Sequence, residues 1–526
     1  NIGFNLKINK NYTVSKENLK FESLNTDIVE VDNNGVIKGI SDGKTGVKIT
    51  DITTNIETVA QIIVGERNSN IYKISAGVNH TIALKNDGTV WSWGDNTYGQ
   101  LGDGGVLTSE TENPIQVSGV NGSKYLSDVV DIASGTYFSI ALLKNGNVVA
   151  WGLNNDGQLG NIGEISRKPV FVMDYNGNKL SGIVGISASR NHAIAVRADG
   201  TVFTWGSNDY GQLGNNTKTS SAYAIQVLDS TGNDYLKDVV QVSAGAAYVS
   251  VVKNDGTVWS WGAGASAQMG DGARTQRSLP VQAKNVTDVK KVATGCYITL
   301  VLKNDGTVWA WGLNRYGQLG IGVSSTSSSD ANYVRTTAVQ VKLNSTDYLT
   351  DVVDIGTAYE SSFAVTSDGT AYAWGLNNYS QLGIITSSNV NLPTKCLRRY
   401  YNELEPKIIG LFSNSEPAYT NYMIREDGSI LSCGKSNNGQ LLDGGKYETR
   451  SYIEDVRTSY LEVTDKISTI KLGSSKKLSV RTVENFNLFA KAPEYGNLTW
   501  KSTNENIATV DKAGNVIAKK IGATTI

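Results

Sequence analysis

The stretch Leu84–Gly102, LKNDGTVWSWGDNTYGQLG, decides the fold, because recognisable copies of it return six more times along the chain. The simplest mark of each copy is Trp-Gly, at Trp93, Trp151, Trp205, Trp261, Trp311 and Trp374, with Cys433-Gly434 in the seventh place. Successive copies lie 58, 54, 56, 50, 63 and 59 residues apart. That is the length of a four-stranded unit and too long for a helical hairpin. Ahead of each Trp-Gly, or of its Cys433-Gly434 substitute, stands a turn pair: Asp87-Gly88, Asn145-Gly146, Asp199-Gly200, Asp255-Gly256, Asp305-Gly306, Asp368-Gly369 and Asp427-Gly428. Asn-Gly or Asp-Gly between apolar alternations predicts a hairpin closed by a type I′ turn, which needs positive φ at both central residues.

Each copy also supplies the strands around that hairpin. A first strand such as Ile71 to Ser75 or Val289 to Ala293 leads through a glycine turn to a second, such as Thr81 to Lys85 or Thr299 to Lys303. The third carries the Trp-Gly, and a fourth comes late, as in Asn113 to Val117, Leu279 to Ala283 and Tyr452 to Val456. In the third strand Trp91 and Trp93 face one way, and Val90 and the small Ser92 face the other. A strand apolar on both faces belongs to a sheet covered on both sides. Seven four-stranded sheets covered by one another close into a radial wheel. The expectation is therefore an all-β chain whose residues 67–460 form a seven-bladed β-propeller. Nine of the ten tryptophans sit at the Trp-Gly position or two residues before it, which places them in the core between blades.

The ends read differently. Residues 1–66 alternate as short strands at Phe4 to Ile8, Leu19 to Glu22, Ile28 to Val31, Val36 to Ile40, Gly46 to Thr50 and Thr58 to Val64, with turns at Asn33-Asn34-Gly35 and Ser41-Asp42-Gly43. LKFESLNTDIVEVDNNGVIKGI at 19–40 aligns with LTWKSTNENIATVDKAGNVIAK at 498–519, so 461–526 holds a second copy of one small all-β domain. The first copy lacks the opening strand that Ile470 to Val480 supplies in the second, and the second stops before the strands that Thr58 to Val64 supply in the first. Each end is thus read as a partial β-sandwich, and the chain as a piece of a longer string of domains. The alternative is strand exchange between neighbouring molecules through the open edges.

Two family resemblances follow. The elements Trp500-Lys501-Ser502, Asn504 to Asn506, Val510-Asp511 and Gly514-Asn515-Val516 resemble the bacterial immunoglobulin-like domains of group 2, and the N-terminal copy departs by having Phe21 for the tryptophan. Gly77 to Leu84, Asp87-Gly88, Trp93-Gly94, Asn96 and Gly99 to Gly102 resemble the repeat of the regulator of chromosome condensation family. The second resemblance implies a seven-bladed propeller. Its members include nuclear exchange factors, a plant light receptor and many bacterial proteins of unassigned role, and no loop here maps residue by residue onto an exchange-factor site.

Composition narrows the function classes. With 48 basic and 49 acidic residues the net charge is -1, which argues against a nucleic-acid surface built from clustered Lys and Arg. Fifty-five glycines against 7 prolines suit short strands and tight turns. Cys296, Cys396 and Cys433 make no Cys-x-x-Cys spacing, hence neither a disulfide framework nor a zinc site. No run of about 18 apolar residues is present, so nothing in the sequence reads as a spanning helix.

Recurrence also weighs the chemical candidates. The two histidines, His80 and His192, share one repeat position with Phe138, Tyr248, Ile298, Ser361 and Thr420. A position that accepts such different side chains is read as structural rather than as metal-binding or acid/base. Gln100, Gln158, Gln212, Gln268, Gln318, Gln381 and Gln440 recur in all seven units, which favours an amide that satisfies loop backbone over a ring of ligand contacts. Tyr98, Tyr210, Tyr316 and Tyr379 share one loop position and could ring one face, although tyrosine there belongs to the ordinary repeat. Fragments such as Gly102-Asp103-Gly104 and Asn154-Asn155-Asp156-Gly157 lack the twelve-residue calcium spacing. No catalytic residue, cofactor or metal ligand is assigned.

The resulting expectation is a non-catalytic, extracellular protein of a bacterial surface. Immunoglobulin-like modules act as spacers, and the propeller binds a protein, a glycan or a copy of itself. The alternatives are a guanine-nucleotide exchange factor and a carbohydrate-active protein with paired carboxylates. Individuality is expected where copies differ: Ile321 to Leu349, Val106 to Leu126, and the seventh unit with Cys433.

Overall fold

Apolar alternation interrupted by glycine turns folds into sheets of four consecutive antiparallel strands, and the chain forms seven of them in order. The structure, a computed structural model, describes residues 71–455 apart from 106–108, 385, 397–406, 413–417, 426–429 and 442–446. It also describes parts of 18–64 and of 460–519. The first blade consists of Ile71–Ala76, His80–Lys85, Val90–Asp95 and Glu110–Gln116, and the seventh of Ile408–Phe412, Thr420–Arg425, Ile430–Ser436 and Tyr447–Asp455. First strands of successive blades touch one another around the ring, with Ile408–Phe412 against Ile71–Ala76 closing it. They are the innermost layer, and their polar side chains tie neighbours together. Lys73 Nζ lies 2.6 Å from Asp131, Lys291 Nζ lies 2.5 Å from Asp354, and the Gln241 amide brackets the Val292 backbone with bonds of 2.7 and 2.9 Å.

The wheel is held by one carbonyl per blade. Trp151 Nε1 donates to the Gln100 carbonyl at 2.9 Å, Trp205 to Gln158 at 3.0 Å, Trp261 to Gln212 at 2.9 Å, Trp311 to Gln268 at 2.8 Å and Trp374 to Gln318 at 2.9 Å. Trp93 donates to Gln440 at 2.8 Å and so links the first blade to the last. The same carbonyls accept hydroxyls from Ser139, Thr299 and Ser362 at 3.2, 3.0 and 2.9 Å. In the seventh blade Cys433 offers only a weak Sγ donor to Gln381 at 3.2 Å, and Asn421 Nδ2 reaches the same carbonyl at 2.7 Å. The amide restores the strong donor that the missing indole would have supplied.

Two expectations need correction. The blade hairpins are not type I′ turns: Gly88, Gly146, Gly200, Gly256, Gly306 and Gly369 have φ between 76° and 86°, but the residues before them are not left-handed. Gly88 N donates to Lys85 O at 3.0 Å and Lys85 N to Thr89 O at 2.9 Å, the pattern of a type I turn followed by a left-handed bulge residue. Asp87 stabilises this longer loop by accepting from Thr89 N and Oγ1 at 2.9 and 2.6 Å, a bond that a two-residue loop would not provide. The seventh turn, Asp427-Gly428, lies outside the described residues. Secondly, among the described tryptophans only those of the Trp-Gly pairs are fully buried. Trp91, Trp259 and Trp309 are half-buried toward the turns. Trp259 and Trp309 lie there under Lys253 and Lys303, whose ammonium groups are 5.7 and 5.9 Å from the ring centres.

The Gln-Leu-Gly glycines Gly102, Gly160, Gly214 and Gly320 are each set by the next tryptophan. A Cβ on Gly214, at φ +64°, would lie 2.8 Å from Trp261 Nε1. Gly214→Ala is therefore expected to cost about 1–3 kcal/mol by backbone strain and overpacking, read as a lower chemical-unfolding midpoint. An unchanged midpoint would mean that the indole is free to shift.

In the unit Asn1–Asn68, Leu19–Ser23, Gly43–Asp51 and Ile56–Val64 form one sheet and Val29–Val31 pairs with Ile37–Gly39. The expected strand at Phe4 to Ile8 lies outside the described residues. Near the other end Ala508–Val510, Asn515–Ala518 and Ser475–Lys477 form a sheet, and Tyr460–Val463 pairs with Val480–Val483. The hairpins 29–39 and 508–518 correspond in the two copies, while Trp500 to Ser502 lies outside the described residues.

Candidate functional site

Each blade carries two kinds of loop on its Trp-Gly rim, the turn between its first and second strands and the loop after its third. A backbone bond joins them: Asp95 N to Asn79 O at 2.8 Å, Leu313 N to Tyr297 O at 2.9 Å, Leu376 N to Glu360 O at 3.0 Å. The loop after the third strand folds on its own side-chain oxygens. Gln100 Oε1 accepts from Tyr98 N at 2.9 Å and Asn96 Oδ1 from Leu101 N at 3.1 Å. Equivalent glutamine bonds recur in all seven blades, from Asp156, Tyr210, Ser266, Tyr316, Tyr379 and Asn438 at 2.8 to 3.0 Å. The oxygens of these amides are committed to holding the frame, while Nε2 of Gln158, Gln318, Gln381 and Gln440 is buried without a hydrogen-bond partner.

Against that uniform frame, blades five to seven differ. In the first, second, fourth and fifth blades the first turn starts with a glycine, but in the third Ser189 pairs directly with His192, with Arg190 at φ 38°, and in the sixth Ala358 pairs directly with Ser361. This leaves Tyr359 and Glu360 as a two-residue turn, with Tyr359 at φ 49°. A left-handed tyrosine is an uncommon backbone state that persists only when its surroundings fix it. Cys296 N, from the fifth blade, donates to Tyr359 O at 2.8 Å and does part of that fixing. The turn drives the Glu360 carboxylate below the surface, where it is fully buried with Arg315 Nη2 at 3.6 Å. Arg315 also lies over the Tyr316 ring, 4.6 Å from its centre. Burial opposes the Arg315 charge, but Glu360 and the surrounding phenols outweigh it and raise the pKa.

Three tyrosines stand beside this pair. The Tyr419 ring packs at 4.8 Å on Tyr359 and 4.5 Å on Tyr379, tilted by 51° and 48°. Lys435 Nζ is 5.9 Å above Tyr379. Burial raises the pKa of Tyr359 and Tyr419, so both are neutral donors near pH 7. Next to Arg315 and Tyr316 opens a hollow of about 380 Å³, reached also by Ser324, Asn389 and Leu392. Charge, three half-buried phenols and a concavity thus meet on one sector of one rim.

Tyr98, Tyr210, Tyr316 and Tyr379 occupy equivalent loops on this rim but form no continuous aromatic ring, because Asp156, Ser266 and Asn438 interrupt them. Tyr98 pairs instead with Tyr137 at 5.0 Å, and Tyr210 is 48% exposed. His80 and His192 are fully buried between blades, and burial lowers the pKa of each to about 4. His80 Nε2 meets Ser139 Oγ at 3.0 Å. The long insertion 321–349 brings Ser324 to the hollow and is anchored by Asn314 Nδ2 on the Val323 and Asn332 carbonyls at 2.8 and 3.1 Å. Among the described residues no group of three His, Cys, Asp or Glu is placed to hold a metal. Sequence reading missed Tyr359, Glu360 and Tyr419. The available signal was the loss of glycine at Ala358, shared with Ser189 in the third blade, where the first, second, fourth and fifth blades have Gly77, Gly135, Gly245 and Gly295.

Seven blades with a repeated loop, folded on its own glutamine oxygen, and variable rims define a β-propeller scaffold whose individuality lies on its edges. The chain belongs to the RCC1-like domain family, which residues 163–491 match. Regulator of chromosome condensation (RCC1) repeats match at 71–100, 87–142 and 129–158, and a bacterial Ig-like domain (group 2) at 459–526. Human E3 ubiquitin-protein ligase HERC2 is 32% identical over 245 residues, covering 44% of this chain and 5% of that protein. Human probable E3 ubiquitin-protein ligase HERC6 is 34% identical over 223 residues, covering 42% and 20%. The chain therefore matches only a small part of these curated relatives. Among solved structures, Prp20p from Saccharomyces cerevisiae, described with its binding to Gsp1p and histones, superposes with a TM-score of 0.58 at 21% identity, over 72% of this chain and 87% of that one. Human WBSCR16 gives 0.55 at 19%, over 72% and 90%. Both likenesses concern the fold.

Proposed function

We propose that the propeller, residues 67–460, is a non-catalytic docking module of a bacterial surface protein, carried between immunoglobulin-like spacers at 1–66 and 461–526. Its docking surface is the Trp-Gly rim of blades five to seven, and its ligand is a protein. The observation that carries this reading is the meeting of Arg315, Glu360, Tyr359, Tyr379 and Tyr419 beside the hollow. Arg and Tyr are the side chains that anchor protein interfaces, because they bring large contact area at low entropic cost together with directional donors. Glu360 fixes Arg315 in place before a partner arrives, which lowers the ordering penalty on binding. The surface location is supported by the bacterial Ig-like match.

A photo-crosslinking side chain at exposed Asn378, in cells that make the protein, tests the reading. One discrete protein adduct is expected there and none from Asp255 on the opposite rim. Tyr419→Ala should reduce that adduct by about tenfold or more, as for a hot-spot aromatic, with the unfolding midpoint nearly unchanged. Protease added to intact cells should release the propeller. An adduct indifferent to Tyr419→Ala defeats the rim assignment, and a propeller protected in intact cells defeats the location. Accelerated nucleotide release from a small GTPase would favour the exchange-factor reading instead.

A further inference from the structure

Four of the connectors between blades are small hairpins, closed by the bridges Ser118–Tyr125, Met173–Lys179, Leu228–Tyr235 and Lys342–Tyr348. They share a frame, but their charges differ. Beside the closing tyrosine stand Asp234 after the third blade and Asp347 after the fifth, whereas Lys124 stands there after the first. The second blade's connector ends on Lys179 in place of tyrosine. The outer strand of that blade, Ile165–Phe171, adds Lys168. Lys124, Lys168 and Lys179 come together on one groove of about 550 Å³, and none of the described residues lining it is acidic. Asp174, the carboxylate next to Met173 in the second blade's connector, is turned into its own loop, accepting from the Asn176 and Asn178 amides at 2.9 and 2.8 Å.

The geometry is firm. The tip of the first connector is an Asn-Gly turn, with φ 54° at Asn121 and 85° at Gly122 and a Ser123 N to Val120 O bond of 3.1 Å. Both central residues are left-handed, as a type I′ turn requires, so the Asn-Gly rule applies to this connector although it fails in the blades. Lys179 Nζ is 3.7 Å above the Phe171 ring, which orients its charge over the groove floor. The three lysines are exposed and have no carboxylate facing them in the groove, so their repulsion is relieved by an incoming anion.

We infer that this groove binds an anionic saccharide segment, one whose uronate or sulfate groups face Lys124, Lys168 and Lys179. The bed is shallow and offers no deep apolar pocket of the kind that anchors a peptide. It does offer spaced cations, with Ser118 and Ser123 beside them for ring hydroxyls, which fits a hydrophilic repeating polymer.

The test is calorimetric titration of the full chain with a uronate hexasaccharide, a sulfated hexasaccharide, a neutral hexasaccharide and hexaglutamate at low salt. One or both charged saccharides are expected to bind, the tighter naming the anion, and the neutral one is not. Raising the salt should weaken binding, because exposed charges are screened beyond about 8–10 Å. The combined variant Lys124→Gln, Lys168→Gln and Lys179→Gln should lose about tenfold or more in affinity. Lys237→Gln, at a lysine already paired with Asp234 at 2.8 Å, should change nothing. The inference is overturned by absent saccharide binding, by binding that survives the triple variant, or by hexaglutamate binding more tightly than both saccharides.

Discussion

Replacing Trp261 by alanine is expected to destabilise the propeller by about 3–5 kcal/mol, the range for truncating a fully buried tryptophan. The side chain is wholly buried and packs with Ile194, Val196, Val227, Val239, Val249 and Val251 across the third and fourth blades. Its Nε1 also supplies the inter-blade bond to Gln212 O at 2.9 Å. Trp261→Phe keeps most of the packing and leaves that carbonyl without its indole donor, so a loss of about 1–3 kcal/mol is expected. Chemical-unfolding midpoints of the two variants and the parent measure both terms. A Trp261→Phe as damaging as Trp261→Ala would show that the bond, not the volume, holds the junction. Trp261→Cys should resemble the alanine variant, although cysteine is native at 433, because Val249 stands where Asn421 compensates in the seventh blade.

Acid is expected to loosen the wheel through its two histidines. Each is neutral when buried, with its pKa lowered from 6.5 to about 4 by burial. The unfolded chain therefore binds protons between those values that the folded chain refuses. Stability is fully present above about pH 6.5 and falls as the pH drops toward 4, by about 3 kcal/mol for each histidine. His80→Phe should flatten part of that decline. The second blade shows the substitution is sterically suitable: Phe138 lies over Gly135 as His80 lies over Gly77. Unfolding midpoints at pH 7.5 and 4.5 give the comparison. An equal decline in parent and variant would assign the acid sensitivity to carboxylates.

The Trp-Gly repeat made the blade number, the four-strand unit and the burial of six tryptophans readable, because a residue needed in every blade must recur at every blade. The recurring glutamine was readable as structural for the same reason, but its most consequential atom was not. The backbone carbonyl of each glutamine joins the blades, and a carbonyl has no letter of its own. Turn type was misread because Asp-Gly is compatible with both a two-residue and a three-residue loop. The choice was made by the Asp87 bond to Thr89 and by which strand residues came into register. Likewise Trp91 and its equivalents sit two residues from a core tryptophan, with the same chemistry, and only their place near the end of the blade exposes them.

The rims depend still more on the third dimension. Arg315, Glu360, Tyr379 and Tyr419 come from three blades, and Lys124, Lys168 and Lys179 from two connectors and an outer strand. Nothing in their spacing along the chain sets them side by side. By itself, then, the sequence determined the wheel, since periodic burial and turn chemistry are local properties repeated in each unit. Tertiary structure alone decided where the wheel is not uniform, because a charged pair under a rim or three cations on one groove exist only after neighbouring blades have been brought into contact.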